Sequence, residues 1–376
     1  MQPVHGDAPV VEVGRDDLAM PAELSRRRLG SRVAIVTALI LLVVVVVILL
    51  PGLGGLRARL SHAKPGWLLL GVGLKLLSGL GYVAVFRMIF CRRMSWRISY
   101  QIGMSELGAD ALLPAGGAGG LALGAWALRR GGMEPREIAR RSVAFFLLTS
   151  VPNVVGVILV GAGLAVGVLA GERNLLLTAL PAAVAAAAIV LALAAGRFAG
   201  QRTRPQTPTP EQPSRRVRAF RATLTAVADG VQEALVLLRE ANLVLVLGLI
   251  AYLVFDIAVL WATFRAVGSS PPVGILAIGY LIGELGGLIP VPGGIGGIDA
   301  GLVGTLVLYH VPITAAAGAV LAYRAIALWV PGLVGGGAFV VLRHTLRREA
   351  DAIRVCAPLS EMEIIGLGRA VIRPDA

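Results

Sequence analysis

Charge is scarce in this chain, and so are the residues that perform chemistry. Only 15% of its 376 residues are Asp, Glu, Lys or Arg, against about 25% in a soluble domain. That shortage excludes a fold surrounded by water. Four histidines, at 5, 62, 310 and 344, lie scattered without metal-ligand spacing, so no metal site is expected. The glycine runs lack the Gly-Lys-Ser/Thr of a phosphate-binding loop, which argues against nucleotide hydrolysis. No Ser-His-Asp arrangement can be placed, and the tails are too short for a soluble catalytic domain. No catalytic residue and no cofactor are expected, and the chain reads as a non-enzyme. The two cysteines, Cys91 and Cys356, read as unpaired thiols near the cytoplasmic face, as suits a reducing compartment.

Apolar residues are what the chain has. They make up 56% of it, and the mean hydropathy is +0.80. Runs at Val33–Leu50, Trp67–Phe86, Val143–Ala170, Leu175–Ala195, Leu243–Phe264 and Ile313–Leu342 fall in the length range of a membrane-crossing helix, about 17–25 residues or more. Two shorter apolar pairs, 98–113 with 118–128 and 273–289 with 295–309, are each interrupted by proline and glycine. The expected fold is an all-α polytopic membrane protein of about six spanning helices plus two Pro/Gly-broken hairpins.

Arginine clusters at 26–32, 87–97, 129–141, 197–221 and 343–348, while the stretch 268–272 carries no charge. Positive charge marks the cytoplasmic side, so both termini are expected inside, at the plasma membrane. The loop 51–65, with Arg57, Arg59 and Lys64, runs against that rule. The chain divides into a polar cytoplasmic tail (1–32), a first membrane half (33–196), a linker (197–241), a second membrane half (242–342) and a cytoplasmic tail (343–376). Within the linker, 200–214 is proline-rich, and 215–240 repeats apolar residues at helical spacing, as in an amphipathic helix lying on the membrane. The net charge of +13 is spread over these flanks. It points to anionic lipid head groups and not to nucleic acid, since no basic soluble domain carries it.

One pattern occurs twice. Glu106-Leu107-Gly108 is followed by Pro114 and Gly116-Gly117-Ala118-Gly119-Gly120; Glu284-Leu285-Gly286 is followed by Pro292 and Gly293-Gly294-Ile295-Gly296-Gly297. The offset is 178, and it also places Phe86-Arg87 on Phe264-Arg265. By the arginine count the two broken hairpins enter from opposite sides, so the expectation is an inverted internal repeat. Substrate paths in such transporters run between the repeats, and non-helical backbone at membrane depth is tolerated only against protein or a wet cavity. The competing reading is that glycines merely allow close helix packing. Gly163, Gly167 and Gly171, four apart, read that way.

Lys75, Glu106, Asp110, Asp256, Glu284, Asp299 and Arg324 lie in or beside apolar runs. A charge at bilayer depth costs about 2.5–3.5 kcal/mol, so these groups are expected to face the interior, paired or neutralised. Glu106 and Asp110, four apart, share a helical face. Lys75 with Asp256, or Glu284 with Arg324, could equally be ion pairs that lock the bundle. The candidate binding residues are Glu106, Asp110, Gly116, Gly117, Glu284, Pro292, Gly293, Gly294, Gly296, Asp299 and Arg324.

The stretch Ile289-Pro-Val-Pro-Gly-Gly-Ile-Gly-Gly-Ile-Asp299-Ala-Gly-Leu-Val303 resembles the signature of the lysylphosphatidylglycerol synthase transmembrane-region family of flippase-like membrane proteins. Asp299 stands where that family usually has glutamate. Ala322-Tyr323-Arg324, with Pro331 and Gly335, resembles the family's next helix. Pro114-Ala115-Gly116-Gly117 and Leu128-Arg129-Arg130-Gly131-Gly132 are similar to its earlier motif, although Leu121 to Ala125 replace the usual acidic-arginine pair. The resemblance covers roughly residues 30–345. It implies movement of a lipid or lipid-linked substrate, with an anionic or lipid-linked membrane partner. A separate synthase or a second copy of the chain is a further possible partner. The alternatives kept beside it are a membrane glycosyltransferase and a scaffold subunit for a separate lipid-modifying synthase.

Overall fold

The computed structural model describes residues 54–112, 118–171, 183, 229–240, 242–285 and 297–348. All regular structure among them is helical. The helices are α1 (Gly54–Ser61), α2 (Pro65–Phe90), α3 (Trp96–Leu112), α4 (Ala118–Arg130), α5 (Pro135–Val166), α6 (Leu243–Ala266), α7 (Val273–Leu285), α8 (Gly297–Leu308) and α9 (Ile313–Arg348). Four of them, α2, α5, α6 and α9, are long and apolar enough to cross a membrane. The expected spans Val33–Leu50 and Leu175–Ala195 lie outside the described residues. So do both tails and most of the linker, of which 229–239 is helical.

Local signals explain where the helices begin and end. Pro65 and Pro135 occupy first-turn positions, where a missing N–H leaves nothing unpaired. The Asn242 side chain accepts from the Val244 N–H at 3.0 Å and caps α6. Gly167 ends α5 in the left-handed conformation, φ 82°, which a side chain disfavours. Gly167 therefore terminates a helix, a role that the packing expectation did not include. Gly163 and Gly171 do have close neighbours, Leu169 and Leu164.

The repeat is visible in the element order. Helix starts at Pro65, Trp96, Ala118 and Pro135 recur at Leu243, Val273, Gly297 and Ile313, displaced by 178, 177, 179 and 178 positions. The contacts obey the same exchange: α3 packs on α9 while α7 packs on α5, and α2 packs on its own counterpart α6. That central pair is antiparallel, with Lys64 meeting Ala266, Lys75 meeting Asp256, and Ser78 meeting Tyr252. Two equivalent membrane-crossing helices running in opposite directions require a two-fold axis in the membrane plane. The repeat is inverted.

Backbones approach closely at the crossings because glycine is there. A Cβ on Gly81 would lie 2.8 Å from the Gly248 carbonyl, and one on Gly108 would lie 2.9 Å from the Pro331 carbonyl. Lipid tails are as apolar as leucine, so packing of this kind, more than exclusion from water, holds the bundle together. Two apolar clusters result. One gathers α3, α4 and the end of α9 around Phe86, Phe90 and Ile102; the other gathers α7, α8 and the end of α5 around Phe264, Leu276 and Ile278.

The α3–α4 and α7–α8 pairs pack as hairpins. Their members are 17, 13, 13 and 12 residues long, each short of the roughly 20 needed to cross alone. The breaks themselves, 113–117 and 286–296, lie outside the described residues. At the arginine-rich end, Arg141 donates to the carbonyls of Ile89 and Phe90, groups that α2 leaves without helical partners. Cys91 follows directly, and it is disulfide-bonded. The expectation of a free thiol there is therefore corrected.

Candidate functional site

The central antiparallel pair brings Lys75 of α2 against Asp256 of α6, with Nζ 2.6 Å from Oδ1. Neither is more than one-tenth exposed. The other Asp256 oxygen accepts from the Tyr280 hydroxyl of α7 at 3.0 Å. Both carboxylate oxygens are thus satisfied, as a buried charge requires. The Tyr280 ring in turn stands edge-on to Tyr323, 6.2 Å between centroids.

The next residue of α9, Arg324, pairs through Nε with Asp299. Asp299 lies in the first turn of α8, where the helix dipole favours a negative charge. Glu284, near the end of α7, lies within electrostatic reach of Asp256, Lys75 and Arg324. Three of the candidate residues, Glu284, Asp299 and Arg324, are therefore drawn into one network with Lys75 and Asp256. Arg324 pairs with Asp299, where the sequence offered Glu284.

The first-half acids form a different arrangement. Glu106, only 1% exposed, accepts from the Tyr82 hydroxyl at 3.0 Å. Its second oxygen abuts Gly124 of α4, where no Cβ could fit. Asp110 accepts from the Gly120 backbone N–H at 2.7 Å, and Gly120 too has no room for a side chain. Tyr82 and Tyr252 lie 5.6 Å apart between ring centroids. Tyr252 is within electrostatic reach of Asp110 from one half and of Asp256 and Glu284 from the other. The two acidic clusters thus flank the central helix pair. Gly116, Gly117, Pro292, Gly293, Gly294 and Gly296 lie outside the described residues.

Residues 33–335 match the family described as the lysylphosphatidylglycerol synthase TM region. The chain belongs to that family. No curated protein matches it. The family match spans both hairpins and three of the long helices and ends within α9, so the paired acids, Arg324 and the crossing glycines fall inside it.

Sequence reasoning left Lys75 and Asp256 off the list of candidate binding residues and did not single out Tyr82, Tyr280 or Tyr252. Lys75 and Asp256 were visible as charges in apolar runs. The tyrosines gave no such signal. Tyr82 reaches an acid 24 positions later and Tyr280 one 24 positions earlier, and only the hairpin geometry makes that spacing a contact. Among the described residues no cluster of three or more His, Cys, Asp or Glu is placed to hold a metal ion. Arg87 and Arg265 sit at helix ends over the rings of Trp96 and Trp261, consistent with side chains that reach from apolar surface toward the interface.

Proposed function

We propose that this protein moves a lipid or lipid-linked substrate between leaflets of the plasma membrane. The substrate would pass between the inverted halves, with both termini cytoplasmic and no covalent chemistry performed by the chain. What supports this reading is the asymmetry of charge across a symmetric scaffold. At the positions 178 before Asp299, Arg324 and Asp256 stand Leu121, Phe146 and Ser78, and 178 after Lys75 stands Leu253. Phe146 faces outward, 58% exposed. The symmetry-related positions carry none of these charges, so the repeated scaffold packs both with and without them. Charges kept at depth without structural need mark substrate and ion paths.

In this reading Glu284, Glu106 and Asp110, none of them in an ion pair among the described residues, meet a cationic head group or carry a coupling proton. Asp299 and Arg324 close on each other until a lipid phosphate competes for the guanidinium.

The test is leaflet exchange in liposomes holding the full chain, with fluorescent phospholipids and aminoacylated lipids as probes. Glu284→Gln and Asp299→Asn are expected to slow exchange at least tenfold while thermal unfolding in detergent stays near wild type. Exchange no faster than in protein-free liposomes would overturn the transport reading and favour a scaffold for a separate synthase. Loss of both variants to misfolding would mean that the acids hold the bundle together.

A further inference from the structure

The seam between α3 and α9 opens at its arginine-rich end into a cleft of about 290 Å³. Arg97, Tyr100 and Gln101 line one side, from the first two turns of α3; Val334, Ala338 and Val341 line the other. Arg97 and Tyr100 are exposed, whereas Gln101 is 4% exposed and forms the floor. The Gln101 Oε1 is buried without a hydrogen-bond partner. A buried amide oxygen normally has a donor, so Gln101 offers an acceptor that no group among the described residues uses.

The repeat supplies the control. The equivalent seam joins α7 to α5, and there Arg97, Tyr100 and Gln101 are replaced by Ile275, Ile278 and Gly279. Ile275 and Ile278 are buried, and Gly279 lies against Leu306. Packing between a hairpin helix and a last helix therefore needs no polar group at these positions. The first half has placed a guanidinium, a phenol and an amide where the second half has hydrocarbon.

We propose that this cleft is a binding site for a membrane glycerophospholipid whose head group carries an N–H or O–H donor. The phosphate would accept from Arg97 and Tyr100, a geometry that suits guanidinium recognition. The head-group donor satisfies Gln101 once its side chain turns toward the opening, and an acyl chain runs along Val334, Ala338 and Val341. A lipid, more than a soluble phosphate ester, fits because the far wall is wholly apolar and Val341 faces outward. The site is separate from the charged network and does not depend on the transport reading.

Native mass spectrometry of the full chain in detergent, with phosphatidylethanolamine or phosphatidylcholine added, tests this without any variant. Phosphatidylcholine has the phosphate but no N–H. Ethanolamine lipid is expected to be retained about tenfold more tightly, as leaving a buried acceptor unpaired implies. Arg97→Ala should weaken retention of both lipids about tenfold or more, and Gln101→Leu should erase the preference between them. Arg93→Ala, at the same end but outside the cleft, should change neither. Equal retention of the two lipids by the wild type would overturn the proposal. So would an equal loss in Arg93→Ala and Arg97→Ala, or displacement of the lipid by soluble glycerophosphoethanolamine at the same concentration.

Discussion

The two halves of this molecule share helix order and packing partners, yet they handle buried acid in opposite ways. In the first half Glu106 and Asp110 are held by neutral donors, the Tyr82 hydroxyl and the Gly120 N–H. In the second half Asp256 and Asp299 are held by cations, Lys75 and Arg324. The difference extends to the opposing helix. Gly124 leaves room for Glu106, whereas its counterpart 178 positions on, Leu302, fills that space and packs on Gly283. The repeated scaffold carries charge at Lys75, Asp256, Asp299 and Arg324 and none at the symmetry-related positions.

The comparison breaks most sharply at the central helix pair. Lys75→Leu, which installs the residue of its second-half counterpart Leu253, leaves Asp256 buried without its cation. It should cost about 3–5 kcal/mol of stability, read as a large drop in thermal unfolding temperature in detergent. The double exchange Lys75→Leu with Asp256→Ser recreates the symmetry-related pairing of Leu253 with Ser78 and should recover most of that loss while leaving leaflet exchange abolished. A double variant as unstable as the single one would mean that the pair is a structural lock.

A smaller effect is expected where acid meets glycine. Gly124→Ala pushes a methyl into Glu106 and should cost about 1–3 kcal/mol, as overpacking does. Gly304→Ala on α8, where a Cβ meets nothing within 4 Å, should cost nothing measurable. Equal stability of the two variants would show that Glu106 can move aside freely, and the tight first-half arrangement would lose its support.

The smallest effect lies outside both clusters. Gly167→Ala must hold φ near 82° with a side chain, at about 1 kcal/mol, and leaflet exchange per folded protein should be unchanged. A loss of exchange with stability intact would tie the end of α5 to function and would widen the comparison beyond the charged network.

Much of this architecture is legible in the chain. The duplicated Glu-Leu-Gly and Gly-Gly-x-Gly-Gly strings located the repeat, and their offset returns in the helix starts. The acids stood out because charge is rare in apolar runs. Their partners did not, since Arg324 had two acids within plausible reach and tyrosine looks ordinary in a hydrophobic helix. Gly163, Gly167 and Gly171 looked alike at four-residue spacing, yet one ends a helix and its neighbours pack. Spacing reports which face a residue occupies and cannot report where that face stops.

By itself, then, the sequence determined that the chain lies in a membrane, that it is helical, and that it is built twice in opposite senses. These follow from local quantities: apolar run length, arginine placement and a recurring motif. Only the tertiary structure decided that Asp256 answers Lys75, that Asp299 answers Arg324, and that Gly124 makes room for Glu106. It alone exposed the cleft at Gln101. Each of these is a contact between helices distant in sequence. The antiparallel crossing of α2 and α6, set by Gly81 and Gly248, fixes which residues come level with one another, and no pattern along a single helix encodes that register.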